Sequence, residues 1–228
     1  MKRWIAAAAA IALILSMSVF AFAKEEGFAV EDGRLVYFLE NGNKAKNKTI
    51  GTFRFGRDTF YTSGNKDLDE FVSSVVKEYT DDSMTQEERL VALYDYMLTK
   101  CSYRMGNIYE PGEEGWEIEE ALDMIERGNR GNCYSFAALF RELARAIGYP
   151  AEAYSGTVKG ANYEHERTPH GWVEIEIDGE VFVFDPEMGY MQQMVLFMMP
   201  QNDPGTQRWG YRVDAPEKTE ITDKAEDK

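Results

Sequence analysis

The chain changes its period at Gly148-Tyr149-Pro150, and that change limits the fold more than any other feature. Before it, apolar residues recur at helical spacing in four segments. Leu68, Phe71, Val72, Val75, Val76 and Tyr79 make the first stripe. Thr85 and Glu88 form a capping box, followed by Leu90, Val91, Tyr94, Met97, Leu98 and Cys101 on one face. Ile118, Ala121, Leu122 and Ile125 mark a third helix, stopped by Gly128. The fourth opens at Cys133 and runs through Phe136, Leu139, Phe140, Leu143 and Ile147, until glycine and then proline end it. After Pro150 the period becomes two. Ala151 to Ser155 reads as a strand, and "HGWVEIEIDGEVFVFDPE" reads as a hairpin about Asp178-Gly179. Helices first and an antiparallel sheet afterwards predict an α+β fold, not a doubly wound parallel sheet.

The ends of the chain read differently. Lys2 and Arg3 precede an uncharged run from Trp4 to Ala23 that closes on Ala21-Phe22-Ala23, so residues 1–23 are expected to be a cleaved signal peptide. The competing reading is a retained membrane anchor, since the run is long enough to span a bilayer. With no cysteine near the cleavage site, a lipoprotein is not expected. Cleavage would leave 205 residues, with 23 basic against 40 acidic side chains. That negative field opposes nucleic-acid binding and contact with anionic polymers. The exported chain is expected to be secreted or held at the cell surface, without stable membrane association. Beyond Pro204, Trp209 to Val213 suggests an edge strand, and residues 214–228 form a charged, disordered tail.

Residues 24–65 form a β-hairpin region, ahead of the main domain at 66–213. Gly33 to Gly56 and Gly42 to Gly64 repeat at 23 and 22 residues, each with neighbouring aromatics. These hairpins resemble the cell-wall or glucan-binding repeats of Gram-positive surface proteins, without their usual tryptophans. Two hairpins packed as an accessory to the main domain are the alternative.

Two cysteines are too few for a disulfide scaffold, so each needs its own account. Asn132 is a good N-cap, which puts Cys133 in the first turn of the fourth helix. A helix start favours thiolate over thiol, and its free N–H groups can hold an oxyanion. The base must come from His165 or His170, the only histidines. A two-residue turn at Asp178-Gly179 sets Trp172 opposite Asp185 and His170 diagonal to it, within side-chain reach. That carboxylate can fix the tautomer of the imidazole. Structural readings remain open for each residue. Cys133 could pair with Cys101 or pack as a small hydrophobe, although Cys101 sits on an apolar stripe where a free thiol serves as packing. His170 could be a satisfied core histidine, and Asp185-Pro186 could simply end a strand. His165 lies among polar residues on an expected exposed loop; zinc on His165, His170 and Cys133 lacks a recognisable spacing. By alternation His170 shares the face of Glu174 and Glu176. Only the start of that face is then expected to be covered by the Cys133 helix.

"RGNCYSFAALFRELARAIGYPAEAYSG", "HGWVEIEIDG" and "VFDPE" resemble the three blocks of the transglutaminase-like superfamily, relatives of papain-like cysteine proteases. The similarity covers about residues 85–190, with 37 residues from Cys133 to His170 and 15 from His170 to Asp185. Val181 and Phe182 stand where a tryptophan is frequent in the family. The resemblance implies helices packed on an antiparallel sheet, Cys133 as nucleophile, His170 as general base and acid, and Asp185 as its orienting carboxylate. It implies acyl transfer on amide or peptide bonds of a protein or peptide substrate, cell-wall peptide included. With an amine acceptor the outcome is crosslinking, and with water it is proteolysis or deamidation. No cofactor or metal is expected, and the calcium of some animal members is not carried over. The sequence does not identify a second oxyanion donor; upstream aromatics such as Trp116 are candidates. The rival class is a non-catalytic surface protein that uses the domain as a scaffold and binds glycan through its hairpins.

Overall fold

The computed structural model describes residues 25–159, 167–193 and 195–213. The expected signal segment, His165 and the tail lie outside the described residues. Two small antiparallel sheets come first. Strands β1 (Gly27–Glu31) and β2 (Arg34–Phe38) are joined by Asp32 and Gly33, both at positive φ as a tight hairpin turn demands. Strands β3 (Lys48–Ile50), β4 (Phe53–Phe55) and β5 (Tyr61–Thr62) form the second sheet. Leu35, Ala45, Phe53 and Phe55 share one small core, with Tyr37 and Tyr61 packed against it. The aromatic pairs of the apparent repeat therefore largely face inward. Gly33 needs its left-handed turn conformation, whereas Gly56, 23 residues on, does not adopt positive φ. That pair of glycines is not equivalent, whereas Gly42 and Gly64, at the other spacing, are both at positive φ.

Helix α1 (Lys66–Tyr79) is capped by Asn65, and α2 (Gln86–Lys100) by the expected box: Glu88 N donates to Thr85 Oγ1 at 3.2 Å and Thr85 N to Glu88 Oε2 at 2.7 Å. Strand β6 (Ser102–Tyr103) follows, then helix α3 (Glu117–Glu126) and strand β7 (Arg130–Gly131), which lies parallel to β6. Helix α4 (Cys133–Ala146) leads into β8 (Glu152–Lys159), β9 (Arg167–Ile177) and β10 (Glu180–Phe184). Helix α5 (Pro186–Gln192), strand β11 (Met199–Pro200) and helix α6 (Pro204–Trp209) complete the described chain. The main sheet is antiparallel in the order β11-β10-β9-β8. Asp178 and Gly179, both at positive φ, join Ile177 to Glu180 and fix the expected register, with Phe184 opposite Val173.

The central helix α4 is buried on every side, not along one stripe. Phe136, Leu139, Phe140 and Leu143 enter the main core with Val173 and Ile175 of the sheet. Arg141, Glu142 and Arg145 are also buried, because the N-terminal hairpins cover the face on which they stand. Arg145 donates to Ala151 O and Thr52 Oγ1, each at 2.7 Å, and pairs with Glu152 at 2.7 Å; its guanidinium stacks 3.8 Å from the Phe53 ring centroid. Tyr61 donates to Glu142 at 2.8 Å. A buried charge stripped of partners costs several kcal/mol, so these contacts hold the hairpins on the helix. The accessory reading of the hairpins agrees with this packing.

Three local expectations change. Gly171 lets the start of α4 sit on β9, since a Cβ there would lie 2.8 Å from Tyr134 Cδ1 and 3.0 Å from its Cα. The helix thus covers the face of Gly171, Val173 and Ile175. The face of His170 and Trp172 is covered instead by Tyr211, whose ring centroid lies 5.1 Å from that of Trp172. Trp209 ends a helix where an edge strand was expected, and the segment after it reaches the sheet through a single bridge between Thr157 and Arg212. Asp185-Pro186 starts a helix as well as ending a strand: proline is tolerated in a first turn, and Asp185 accepts the N–H of Met188.

Candidate active site

The fold brings Cys133, His170 and Asp185 together from three elements. Asn132 caps α4 by accepting the N–H groups of Tyr134 and Ser135, at 3.2 and 3.3 Å. Asn132 is itself held, because its amide donates to Asn107 O at 2.5 Å. Two first-turn N–H groups are thereby spent, and the N–H of Cys133 is the one the cap leaves free to serve an oxyanion. The thiol is partly exposed, as a reacting group must be. Cys133 and Cys101 are both free, so the disulfide alternative is overturned. Cys101 is buried beside Met97, and burial pushes its thiol up to about 12.

His170 stands near the start of β9 and is 5% exposed. Its Nε2 lies 2.7 Å from Asp185 Oδ2, and Cys133 is near enough to the same ring to act on its charge. Burial alone would lower the basicity of this imidazole. The charges of Asp185 and Cys133, with the hydrogen bonds to both, outweigh it and hold His170 well above its ordinary value. Asp185 is fully buried and fully occupied. Its Oδ1 accepts Met188 N at 3.0 Å, and its Oδ2 also accepts Tyr211 Oη at 2.8 Å. Its backbone is fixed too, with Asp185 N donating to Leu196 O and Tyr94 Oη donating to Asp185 O, both at 3.0 Å.

Three functional neighbours escaped the sequence reading. The pattern puts Tyr211 on an edge strand and Tyr94 on an apolar stripe, yet both orient Asp185. Glu187 carries no such pattern. Its carboxylate lies 4.0 Å from His170 Nδ1, and burial pushes it up to about 7. The only local signal was its place two residues after Asp185. Tyr103, on β6, lies near enough to feel the same group: its phenol is raised by burial first and then by Cys133 and Glu187. Trp116 is not at the site: it is buried against Tyr109 and Tyr134, and its indole N–H is spent on Glu113 O at 2.9 Å. The zinc alternative rests on His165, outside the described residues. His170, Asp185 and Glu187 could together offer a cation ligand atoms within 4.8 Å of one another. However, the carboxylate of Asp185 is already committed to an amide, a phenol and an imidazole, so a metal would have to displace those bonds.

A first-turn cysteine facing a histidine that is backed by a carboxylate defines the papain-like class of thiol site. Comparison with known families agrees, since the model of the transglutaminase-like superfamily matches residues 73–186. The chain belongs to that superfamily. A similar solved structure is that of a "putative cysteine protease from Cytophaga hutchinsonii", 23% identical, covering 53% of this chain and 37% of that one at a TM-score of 0.38. The chain thus spans little more than a third of that protein's length. No curated protein matches.

Proposed function

We propose that this chain is an exported, cysteine-dependent enzyme acting on amide or peptide carbonyls of a protein or peptide, with Cys133 as nucleophile, His170 as base and acid, and Asp185 as orienter. The observation that carries the reading is a single buried imidazole bonded to a carboxylate at 2.7 Å and raised by the neighbouring, partly exposed Cys133. His170 takes the thiol proton, and the thiolate attacks the carbonyl carbon. A C–S bond forms as the carbonyl electron pair moves to oxygen, where the N–H of Cys133 can meet it. Collapse breaks the C–N bond while His170 returns its proton to the leaving amine. Amine or water then attacks the thioester and releases Cys133. Export rests on the N-terminal segment, and cell-wall peptide is one substrate class such a location would offer.

Glycan recognition by the hairpins has less support, because Phe53 and Phe55 are buried in their own core. The test is mass spectrometry of a peptide and primary-amine mixture with wild type and Cys133→Ala. Crosslinks, cleavage and deamidation change the mass differently. An exported wild type that yields none of them across peptide libraries, and whose Cys133 alkylates at the same rate in His170→Ala, overturns the reading.

A further inference from the structure

Glu187 is a buried acid without the partners that buried acids normally have. It is 7% exposed, and among the described residues its only ion-pair partner is His170. By contrast Glu142, buried still more deeply, has Arg141 at 2.5 Å and Tyr61 at 2.8 Å. A helix-start role does not require burial, and α5 already has its cap in Asp185. An acid kept desolvated beside a catalytic imidazole is the pattern of a group tuned for function.

We infer that Glu187 is a further positioning residue of the thiol site, whose carboxyl group beside His170 Nδ1 makes the reactivity of Cys133 depend on its own ionisation. The inference rests on the thiol reading above. Its geometry gives His170 a carboxyl at each ring nitrogen: Asp185 at Nε2, and Glu187 4.0 Å from Nδ1. Asp185 settles the orientation of the ring. Glu187 sets how strongly the ring holds the proton that it must pass to a leaving amine.

The other titratable groups around Glu187 come from each neighbouring element. Tyr94 of α2 is committed to the carbonyls of Asp185 and Leu196, and Tyr211 to the Asp185 carboxylate. Tyr103 of β6 and Cys133 of α4 complete the ring of groups, and both phenols that sense Glu187, Tyr103 and Tyr211, are pushed upward. None of these tyrosines ionises near neutral pH, which leaves Glu187 and His170 as the groups whose protonation matters here. Burial keeps Glu187 protonated to about pH 7, with His170 opposing that and Asp185 adding to it. Below that pH the carboxyl is neutral. Above it, a negative charge stands 4.0 Å from the imidazole and favours the imidazolium that partners the thiolate. Reactivity should therefore step upward as pH rises through about 7.

The experiment measures the rate of iodoacetamide alkylation at Cys133 by peptide mass spectrometry from pH 5 to 9, in wild type, Glu187→Gln and His170→Ala. Wild type is expected to show a step of about threefold to tenfold near neutrality, the size of a pKa coupling of half a unit to one unit. Glu187→Gln, of the same shape, is expected to lose that step while keeping its dependence on His170. A Glu187→Gln profile that retains the step overturns the inference and leaves the thiol reading intact. Labelling of wild type that is indifferent to His170→Ala overturns both. Should Glu187→Gln fail to fold, carboxyl-carbon NMR of wild type with labelled glutamate decides the matter. A carboxyl titrating near 7 supports the inference, and titration of every glutamate near its ordinary value overturns it.

Discussion

The two ends of α4 both place ionisable side chains where water is scarce, and they use them in opposite ways. At the C-terminal end Arg145 has neighbours for each of its nitrogens and an aromatic ring beneath it. Glu142 is likewise saturated by Arg141 and Tyr61. At the N-terminal end Cys133 is partly exposed, His170 shares its ring between two partners, and Glu187 stands 4.0 Å from the nearest. Completed hydrogen bonds lock a charge in one state, and such groups hold structure together. Incomplete ones leave a proton free to move, and such groups can do chemistry.

That contrast predicts that substitutions at one end cost activity and at the other cost stability. Cys133→Ala should remove turnover altogether, a loss of about 10⁴-fold or more, with urea unfolding shifted by under about 1 kcal/mol. Asp185→Asn should cut kcat/KM by about 10²- to 10⁴-fold, through the wrong tautomer at His170. A variant keeping near-full activity would show that the carboxylate does not orient the ring. Arg145→Ala should cost about 3–5 kcal/mol in urea unfolding, because Glu152 and the buried acceptors lose their partner, yet alter activity per folded molecule little. Full stability there would erase the distinction between the two ends.

The smallest effect is a stability difference with pH. A buried acid raised to about 7 keeps its proton in the folded state while the unfolded chain releases it near its ordinary value of 4.5. Between those values the folded state binds more protons, so this group's contribution to stability falls as pH rises and is lost above about 7. The loss is of the order of 1–3 kcal/mol. Glu187→Gln should flatten that part of the curve in urea melts taken from pH 4 to 8. An unchanged slope would return Glu187 to the structural side of the comparison.

Much of this was legible in the chain because it is local physics. Thr85 and Glu88 cap a helix wherever they stand three residues apart before an apolar stripe. Asp178-Gly179 fixes a two-residue turn, and the turn fixes the register that sets His170 near Asp185. The glycine spacing was half a guide: Gly42 and Gly64 share a left-handed conformation, while Gly33 and Gly56 differ. The second oxyanion donor was not legible, and Trp116 shows why: an indole N–H is available only if no carbonyl has claimed it, and Glu113 had.

The sequence by itself determined the α+β order, the capped start of α4, the hairpin and the triad candidates, each within short stretches where propensity and spacing act alone. Tertiary structure decided which face of β9 the helix would cover, because Gly171 alone admits Tyr134 so closely. It buried Arg141, Glu142 and Arg145 under the hairpins, and it brought Tyr94, Tyr211 and Glu187 to a site from 91 residues before Asp185 to 26 after it. Contacts across such separations depend on packing, and packing has no period to read.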